Sequence, residues 1–336
     1  MTNNTPFPID LVYLWVDSAD SRWQAKKNAA LAAMGKPIDN AALDGRFESK
    51  DELKYSLRSI QQFLPWINHI YLITDDQVPA WLNVESPRMS LVGHRDIVPA
   101  ELLPIFNSAA LELFLHRIPS LSEHFIYAND DMFVGTPLTP DFFFNADGNP
   151  IVILREKWYG KSLFSSAASR RHSLVGTRIR NAVRLVFDLT RQRYHMSLCH
   201  TMEPMRKSYL EDIFAQHGLK IIPDTATTFR DSKNIQRIFY PLYNHANARS
   251  DLVADWRFGT ERLRLSAEAS RLGILWRSFL WSLPFVRHDY VGVKNNAYKK
   301  LTRASPALFC VNDSKRFAKN IDDMEKLFPQ KSEFEK

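Results

Sequence analysis

The stretch His124–Gly135, HFIYANDDMFVG, joins an apolar run to two adjacent carboxylates. Its first part, His124–Ala128, has the length and aromatic content of a buried strand. Asp130 and Asp131 follow almost at once, so both carboxylates lie where this strand ends. Adjacent carboxylates in this position can hold a hard divalent cation, although an Asp pair also commonly begins a turn. This stretch alone favours the two interpretations about equally.

Two earlier apolar runs end in the same manner. Ile9–Val16 stops at Asp17, and Ile67–Ile73 stops just before Asp75 and Asp76. Short apolar strands that alternate with helical segments are typical of a parallel sheet with helices on its faces. The carboxyl ends of parallel strands meet at one edge, where open α/β sheets bind ligands. We therefore expect these acidic side chains to gather at a ligand site.

The remaining apolar periodicity completes the predicted architecture. Met89–Val92 is a further strand, and spacings of three and four residues predict helices. The predicted helices are Asp51–Leu64, Ser108–His116, Leu174–Leu189, Lys207–His217 ended by Gly218, Ile235–Ala246, Glu261–Leu283, and Asp313–Leu327 capped by Asn312 or Asp313. We therefore expect an α/β core in residues 1–150, a basic, mainly helical insertion in residues 151–207, and a mostly helical part in residues 208–336 packed on the core.

Charge is distributed unevenly along the 336 residues, although the net charge is only +7. Residues 1–150 carry 11 basic and 19 acidic side chains, whereas residues 151–207 carry 12 basic and 3 acidic ones. The arginines of this basic segment include Arg170, Arg171, Arg178, Arg180, Arg184, Arg191 and Arg193. Solvation explains each one alone, but their density indicates an anionic partner. Nucleic acid, anionic lipid, a nucleotide sugar and an anionic polymer are all candidates on charge alone.

The sequence lacks the signatures of several common classes. Cys199 and Cys310 form no CxxC pair, which argues against a disulfide scaffold or a zinc ribbon. There is no GxGxxG, GxxxxGK[ST], GxSxG or HExxH motif, and nothing resembles a nucleic-acid-binding module. The N-terminus lacks a secretory pattern, and no apolar run reaches the roughly 18 residues of a spanning helix. We expect a cytoplasmic protein with no nucleic-acid partner.

Two segments outside the predicted strands add chemically useful side chains. His200 lies in CHTMEPMRKS, and an imidazole can take a proton from an attacking hydroxyl near neutral pH. Arg206, Lys207 and Arg230 can clamp phosphate oxygens, the arginines in bidentate fashion. Surface solvation is the better explanation for Lys207, and most of the ten histidines must be structural or exposed. These residues are therefore candidates only.

Taken together, these segments resemble the Stealth family of sugar-1-phosphate transferases, which includes bacterial capsule polymerases and the lysosomal-enzyme GlcNAc-1-phosphotransferase. The resemblance comes in four blocks in the family's order and covers nearly the whole chain. The blocks are Ile9–Asp20, Arg46–Asp75 continuing through Leu103–Gly135, Cys199–Ile213 with Phe229–Gln236, and Phe309–Glu335. The second block is long and specific.

The resemblance implies a reaction, a fold and a cofactor. A sugar hydroxyl attacks the β-phosphorus of a nucleotide sugar, typically a UDP-N-acetylhexosamine, and UMP leaves as a phosphodiester forms. The acceptor is an oligosaccharide or polysaccharide of a capsule or other cell surface. The implied core is Rossmann-like and related to glycosyltransferases, and the implied cofactor is Mg²⁺ or Mn²⁺. Phosphoryl transfer depends mainly on positioning and charge neutralisation, which such a set of residues supplies.

Position within the four blocks also implies roles for individual residues. Together with the phosphate-clamp candidates, the expected substrate-binding residues are Trp15, Asp17, Glu52, Arg58, Asn107, Arg206, Lys207 and Asn312. The expected catalytic residues are Asp130, Asp131, His200 and Arg230. We assign His200 as the general base, Arg230 as the group that neutralises the transition state, and Asp131 with Asp313 as the metal ligands.

The sequence departs from the family pattern at two points. The first block reads WVDSAD where the family often has WVDGSDP. In the third block, proline stands four residues after His200 instead of closer to it, so His195 is the alternative histidine.

Two other classes of function remain open. An ordinary glycosyltransferase would move the sugar and release UDP, and a basic adaptor would bind an anionic polymer or membrane surface without catalysis. Because residues 151–198 lie between the blocks, we expect them to give acceptor specificity or contact with the inner face of the cell membrane. We also expect the 336 residues to form a nearly minimal catalytic unit.

Overall fold

A five-stranded sheet lies at the centre of the protein in the computed structural model, which describes residues 7–35, 49–159, 163, 173–311 and 317–336. In chain order the strands are β1 (Ile9–Leu14), β2 (Ile70–Thr74), β3 (Met89–Gly93), β4 (His124–Asn129), β5 (Met132–Val134), β6 (Ile151–Glu156), β7 (Met196–Leu198), β8 (Glu203–Arg206), β9 (Asp251–Phe258), β10 (Glu261–Arg264), β11 (Arg287–His288), β12 (Tyr290–Gly292) and β13 (Leu308–Cys310). The helices are α1 (Ser21–Ala33), α2 (Glu52–Phe63), α3 (His94–Ile97), α4 (Ser108–Glu112), α5 (Leu174–Thr190), α6 (Lys207–Thr225), α7 (Phe239–Ala246), α8 (Arg271–Trp281), α9 (Ala297–Ala304) and α10 (Ile321–Leu327).

The central sheet has the spatial order β3-β2-β1-β4-β8, with β8 antiparallel to four parallel strands. This arrangement confirms the predicted α/β core with a mainly parallel sheet. Leu14, at the end of β1, pairs with Ile73 of β2 and with Asn129 of β4. The carboxyl ends of these three strands therefore meet at one edge, where open α/β sheets bind ligands.

Both faces of the central sheet are covered, which explains why its strands are continuous apolar runs. All six residues of β1 are buried. Leu11 and Tyr13 pack with Leu57 of α2 in one core cluster, whereas Val12 packs with Phe114 in another. The strand ends that carry the acidic residues therefore rest on a frame that is packed from both sides.

A second sheet, which the sequence did not predict, forms from the chain after Pro150. Strands β6 and β9 are parallel at its centre, and β7, β10 and β11 pair with them antiparallel. The predicted helix Glu261–Leu283 is wrong in its first part, because β9 turns through Gly259, with φ of +59°, into β10. Helix α8 begins only at Arg271. Residues 262–265 alternate arginine and leucine. This pattern fits a strand as well as a helix, so the sequence was ambiguous here.

Helix α6 is longer than predicted. It continues through Gly218 to Thr225 and carries Pro223 in its last turn. Ile213 and Ile221, on either side of Gly218, are both buried. Tertiary packing of this face outweighs the low helix propensity of glycine, so the glycine does not end the helix.

A third, small sheet joins the C-terminal region to the core. Strand β13 pairs antiparallel with β5 and parallel with β12, which sets Cys310 opposite Met132. The C-terminal helix α10 begins at Ile321, and the predicted cap at Asn312 or Asp313 lies outside the described residues. Within the ranges that the structure describes, no helix is both long and apolar enough to cross a membrane.

Candidate active site

The side chains of Asp131, His200 and Cys310 meet at the carboxyl edge of the central sheet. Nε2 of His200 lies 3.0 Å from Oδ1 and 3.1 Å from Oδ2 of Asp131. Sγ of Cys310 lies 3.5 Å from the same Oδ2. The Asp131 and His200 side chains are 15 % and 32 % exposed, so a substrate can reach both. The structure thus brings two predicted catalytic residues into direct contact and adds a cysteine that was not predicted.

Strand pairing explains how Asp131 and His200 meet although 69 residues separate them. Asp131 lies in the turn between β4 and β5, and His200 lies between β7 and β8. Strand β8 runs antiparallel to β4, with Glu203 opposite Tyr127. Because the two strands run in opposite directions, the residues before Glu203 extend toward the end of β4. His200 therefore arrives beside the acidic turn.

Cys310 reaches the site through the third sheet. It ends β13 opposite Met132, and the amide of Val311 donates to the carbonyl oxygen of Asp131 at 3.2 Å. The sequence offered no signal for this position beyond a short apolar run, since two isolated cysteines match no motif. Only the pairing of β13 with β5 identifies Cys310 as a neighbour of Asp131.

The geometry of the pair suits His200 to accept a proton. Nε2 lies within hydrogen-bond distance of both carboxylate oxygens of Asp131. An ionised carboxylate can only accept hydrogen bonds, so the tautomer that fits this contact has its hydrogen on Nε2. Nδ1 then carries the free lone pair, because a neutral imidazole has one protonated nitrogen. A carboxylate at this distance from an imidazole can also balance the positive charge of an imidazolium. Asp131 and His200 together therefore have the parts of a general base and its orienting carboxylate.

Two further predicted carboxylates, Glu52 and Asp130, interact electrostatically with Asp131. Glu52 begins α2 and accepts a hydrogen bond from the amide of Lys50 at 2.6 Å. Burial raises the pKa of Glu52 to about 7, and the charges of Asp131 and Asp51 act in the same direction. Burial also raises the pKa of Asp130 well above its usual value, with further contributions from Asp131 and Glu52. A cluster of carboxylates with raised pKa values favours protons or a divalent cation.

We expect the substitution Glu52→Gln to stabilise the metal-free protein at pH 8. The pKa of about 7 lies above the ordinary value of 4.5, so the folded protein binds more protons than the unfolded chain between these values. Its stability therefore falls as the pH rises through that window, by up to about 3 kcal/mol. Glutamine removes this penalty and can still accept from Lys50.

Urea unfolding in EDTA at pH 5 and pH 8 measures this effect. The gain in free energy of unfolding should be clear at pH 8 and small at pH 5. Glu85→Gln, at an exposed position, is the matched control and should change neither value appreciably. A Glu52→Gln protein that is less stable than the wild type at both pH values would contradict the assigned ionisation.

Arg230 lies on the loop between α6 and α7, and neighbouring amides hold this loop in place. Nη2 of Arg230 donates to Oγ of Ser108 at 2.8 Å. Nδ2 of Asn107 lies 3.1 Å from the carbonyl oxygen of Thr225 and 3.1 Å from Oδ1 of Asn234. Asn107 is only 1 % exposed, so this predicted substrate-binding residue positions the Arg230 loop instead of facing solvent.

Trp15 and Asp17 follow β1 at the same edge of the sheet. Trp15 is buried, and its Nε1 donates to Oγ of Ser49 at 3.3 Å. The carboxylate of Asp17 accepts from the amide of Ala19, while Gln77 bonds both the amide and the carbonyl of Asp17. The backbone at Asp17 is thus bonded to the loop that follows β2. Substrate binding by Trp15 and Asp17 stays a prediction.

Arg58 anchors the C-terminal segment to α2. Its Nε and Nη2 donate to the two carboxylate oxygens of Glu335, each at 2.8 Å. Its Nη1 donates to Glu325 at 3.0 Å and to the carbonyl oxygen of Phe328 at 2.9 Å. Arg58 is 5 % exposed overall, and these contacts engage Nε, Nη1 and Nη2 of its guanidinium group. This geometry supports a structural role for Arg58, in contrast to the predicted role in substrate binding.

The structure does not bring Arg206 and Lys207 to the acidic edge. Arg206 lies opposite His124, at the beginning of β4, and Lys207 begins α6 directly after it. The six residues of β4 correspond to about 20 Å of extended chain. Arg206 instead donates to Glu123 at 2.8 Å. Substrate binding by Arg206 and Lys207 stays a prediction, and this geometry does not support it at the acidic edge. The antiparallel direction of β8 cannot be read from its sequence. The predicted residues Asn312 and Asp313 lie outside the described residues.

A buried charge cluster supports the end of β4 from behind, and sequence reasoning missed it. Nε of Arg237 donates to Oε2 of Glu203 at 2.8 Å, and its Nη1 lies 3.8 Å from Oε1 of Glu112. The guanidinium stacks over the ring of Tyr127, whose hydroxyl lies 2.9 Å from Oδ1 of Asn129. Burial raises the pKa of Glu203 to about 7, while Arg237 opposes that rise. The cluster therefore fixes the residue that directly precedes the acidic pair.

Two family models match the chain. The model described as Stealth protein CR1, conserved region 1, matches residues 7–35, and the model described as Stealth protein CR2, conserved region 2, matches residues 46–152. These regions contain the whole of the first two predicted blocks, including the Asp130–Asp131 turn. The third and fourth blocks stay predictions.

Several relatives are similar over much of the chain. A capsular polysaccharide phosphotransferase of Haemophilus influenzae is 35 % identical over 254 residues, which cover 75 % of this chain and 69 % of the relative. One of Neisseria meningitidis is 37 % identical over 236 residues, covering 69 % of this chain and 62 % of the relative. An exopolysaccharide phosphotransferase of Streptomyces coelicolor is 34 % identical over 324 residues, covering 94 % of this chain and 49 % of the relative.

The match thus spans between about half and two thirds of the length of these relatives. All three carry the name of a phosphotransferase, in agreement with the predicted class of enzyme.

Proposed function

The chain belongs to the Stealth family, and from that premise we propose that it transfers a hexose-1-phosphate or N-acetylhexosamine-1-phosphate from a UDP-sugar to a sugar hydroxyl. UMP is released, and a phosphodiester forms in a capsule or other surface polysaccharide. The proposed donor is a UDP-N-acetylhexosamine, and the acceptor is an oligosaccharide or polysaccharide. The observation that carries the proposal is the contact between Asp131 and His200 at the carboxyl edge of the central sheet.

The proposed chemistry begins with the acceptor hydroxyl. Nδ1 of His200 takes its proton, and the resulting oxygen nucleophile forms a bond to the β-phosphorus. The bond between that phosphorus and the oxygen bridging to the α-phosphorus breaks, so UMP leaves with the bridging oxygen. Asp131, bonded to Nε2, keeps the imidazole oriented and balances its new charge. Arg230 is assigned to neutralise charge on the transferring phosphoryl group.

A divalent cation, Mg²⁺ or Mn²⁺, is the proposed cofactor. The donor set supports this choice, because the charge of Asp131 contributes to the raised pKa values of both Asp130 and Glu52. Mg²⁺ prefers oxygen ligands, so Asp131 with these neighbouring carboxylates would hold it, together with Asp313 as the sequence implies. When bound, the cation would supply positive charge to the pyrophosphate of the donor.

The remaining assignments concern the edges of the site. Trp15 and Asp17, at the end of β1, are proposed to lie on the nucleotide side of the donor. Residues 151–207 are proposed to contribute to acceptor specificity through their excess of basic side chains. Because the donor is a nucleotide sugar, the proposed place of action is the cytoplasm.

The decisive experiment incubates the purified protein with a panel of UDP-sugars and an oligosaccharide acceptor, and resolves the released nucleotide. We expect UMP, with phosphorus retained in the product as a ³¹P phosphodiester signal. Reactions without acceptor are the control and should release little UMP. Release of UDP would contradict the proposal and would show that the protein acts as an ordinary glycosyltransferase.

A basic adaptor without catalysis is the remaining alternative. It would release neither nucleotide with any donor, and its binding function would survive Asp131→Asn and His200→Ala.

A further inference from the structure

Helix α8 presents an apolar face to solvent. Leu272, Leu275, Trp276 and Phe279 are 80 %, 53 %, 61 % and 54 % exposed. Their spacing of three, four and seven residues places all four on one side of the helix. Single exposed apolar residues are ordinary, but a contiguous face of this kind marks an interaction site.

The opposite side of α8 is firmly attached, so the orientation of the helix is fixed. Ile274 is buried, and Arg277 donates to both carboxylate oxygens of Glu156, at 2.5 and 2.7 Å. The guanidinium of Arg155 lies 5.2 Å from the ring centroid of Trp281. These contacts hold the inward side against the second sheet. The outward face of α8 therefore has a fixed position on the folded protein.

Two further aromatic side chains close to α8 in the chain or in the second sheet are exposed and pack on each other. Phe285, which follows α8, is 64 % exposed, and Phe258, at the end of β9, is 43 % exposed. Their ring centroids lie 5.7 Å apart. We define the aromatic face as Phe258, Leu272, Leu275, Trp276, Phe279 and Phe285.

The segment of α8 and its following loop, which carries five of the six residues of the aromatic face, is positively charged, whereas the exposed Glu261 lies opposite Phe258 on β10. From Arg271 to His288 the sequence contains Arg271, Arg277 and Arg287 but no Asp or Glu. Arg271 and Arg287 are both exposed and lie just before and after the apolar residues of α8 and its following loop. Long arginine side chains can lie along apolar surface while their guanidinium groups reach a polar boundary.

We propose that the aromatic face is a docking surface for an anionic lipid bilayer, with α8 lying in the plane of the membrane interface. Tryptophan, phenylalanine and leucine on one side, with arginines at the margins, are the features of interfacial helices. A second copy of this chain fits less well. In a two-fold contact each aromatic face would meet its own copy, and the arginines would approach each other with no carboxylate from this segment between them.

This location differs from the one that the sequence indicated. The basic segment, residues 151–207, was the candidate for membrane contact, but part of its charge is paired within the protein. Arg184 lies 3.1 Å from Asp188, and Arg193 lies 3.5 Å from Glu268. Arg271 and Arg287 flank α8, and the acidic residues nearest to them in sequence, Glu268 and Asp289, are paired with other arginines. These two arginines are therefore better placed to meet anionic headgroups.

Co-sedimentation of the full chain with vesicles tests the proposal. Wild-type protein should bind vesicles of phosphatidylcholine with 30 % phosphatidylglycerol. Binding should be weaker to vesicles of pure phosphatidylcholine, and weaker to the anionic vesicles when the salt concentration is raised. The double substitution Trp276→Glu with Phe279→Glu should weaken binding at least tenfold. The matched control is Leu219→Glu, because Leu219 is 95 % exposed on α6, away from the aromatic face in sequence. Its binding should equal that of the wild type.

A second variant keeps the test decisive if the double substitution disturbs folding. Arg271→Glu with Arg287→Glu changes only exposed side chains and should also lower binding to anionic vesicles severalfold. The proposal is overturned if wild-type protein does not bind anionic vesicles, or if both variants bind like the wild type. A dimer seen by light scattering that the Trp276 and Phe279 substitutions abolish, without any vesicle binding, would assign the face to a second copy. These readouts are independent of nucleotide release, so failure here leaves the proposed reaction standing.

Discussion

Replacing Asp131 with asparagine is expected to lower kcat for sugar-phosphate transfer by about 10⁴-fold. The carboxylate has two tasks in the proposed mechanism, and the amide performs neither well. It orients His200 through contacts of 3.0 and 3.1 Å to Nε2, and it supplies negative charge to the imidazolium and to the cation. Asparagine has nearly the same shape, so the loss reports charge and proton placement more than packing. Steady-state kinetics with saturating donor and acceptor measure it.

The matched control is Asp147→Asn, an exposed aspartate in the loop before β6, which should retain full activity. Metal dependence separates the two tasks of Asp131. If it holds the cation, EDTA should stop turnover in the wild type, Mg²⁺ should restore it, and the variant should need more Mg²⁺ for its residual activity. Wild-type activity that persists in EDTA would remove the metal from the site while leaving the role of Asp131 toward His200.

The sequence predicted the central sheet well because local signals agree there. Strands such as Ile9–Leu14 are short apolar runs buried on both faces. An acidic residue follows β1, β2 and β4 within three positions of each strand's end. The second sheet was missed because its strands carry mixed patterns. Residues 262–265 alternate arginine and leucine, and the turn into this hairpin strand depends on the positive φ of Gly259. Such a pattern does not distinguish an edge strand from the first turn of a helix.

The candidate site was predictable in its chemistry but not in its assembly. Asp131 and His200 were identified from residue type and context, yet their contact depends on the antiparallel pairing of β8 with β4. The same pairing carries Arg206 to the far end of β4. Arg58 shows the other limit, because its partner Glu335 lies 277 residues further along the chain. Residue type alone cannot separate an arginine that awaits a phosphate from one already paired with a carboxylate.

Replacing His200 with alanine is expected to lower kcat by about 10³-fold with little change in the KM for the donor. The imidazole acts on the acceptor hydroxyl in the proposed mechanism, so its loss removes the base and leaves the donor contacts in place. Added imidazole should restore part of the activity, because a small base can enter the space that the side chain vacates. A structural role for His200 would give no such rescue.

His195 provides the matched control because it was the alternative histidine and has a different environment. It is 5 % exposed, its ring stacks on Trp158 with centroids 4.0 Å apart, and its Nδ1 lies 3.3 Å from the amide of Tyr159. His195→Ala should therefore lower the free energy of unfolding by about 2 kcal/mol and leave kcat of the folded protein nearly unchanged, without imidazole rescue. If His195→Ala instead lost activity and recovered it with imidazole, while His200→Ala stayed active, the proton acceptor would be His195. The contact between Asp131 and His200 would then serve the metal or the fold alone.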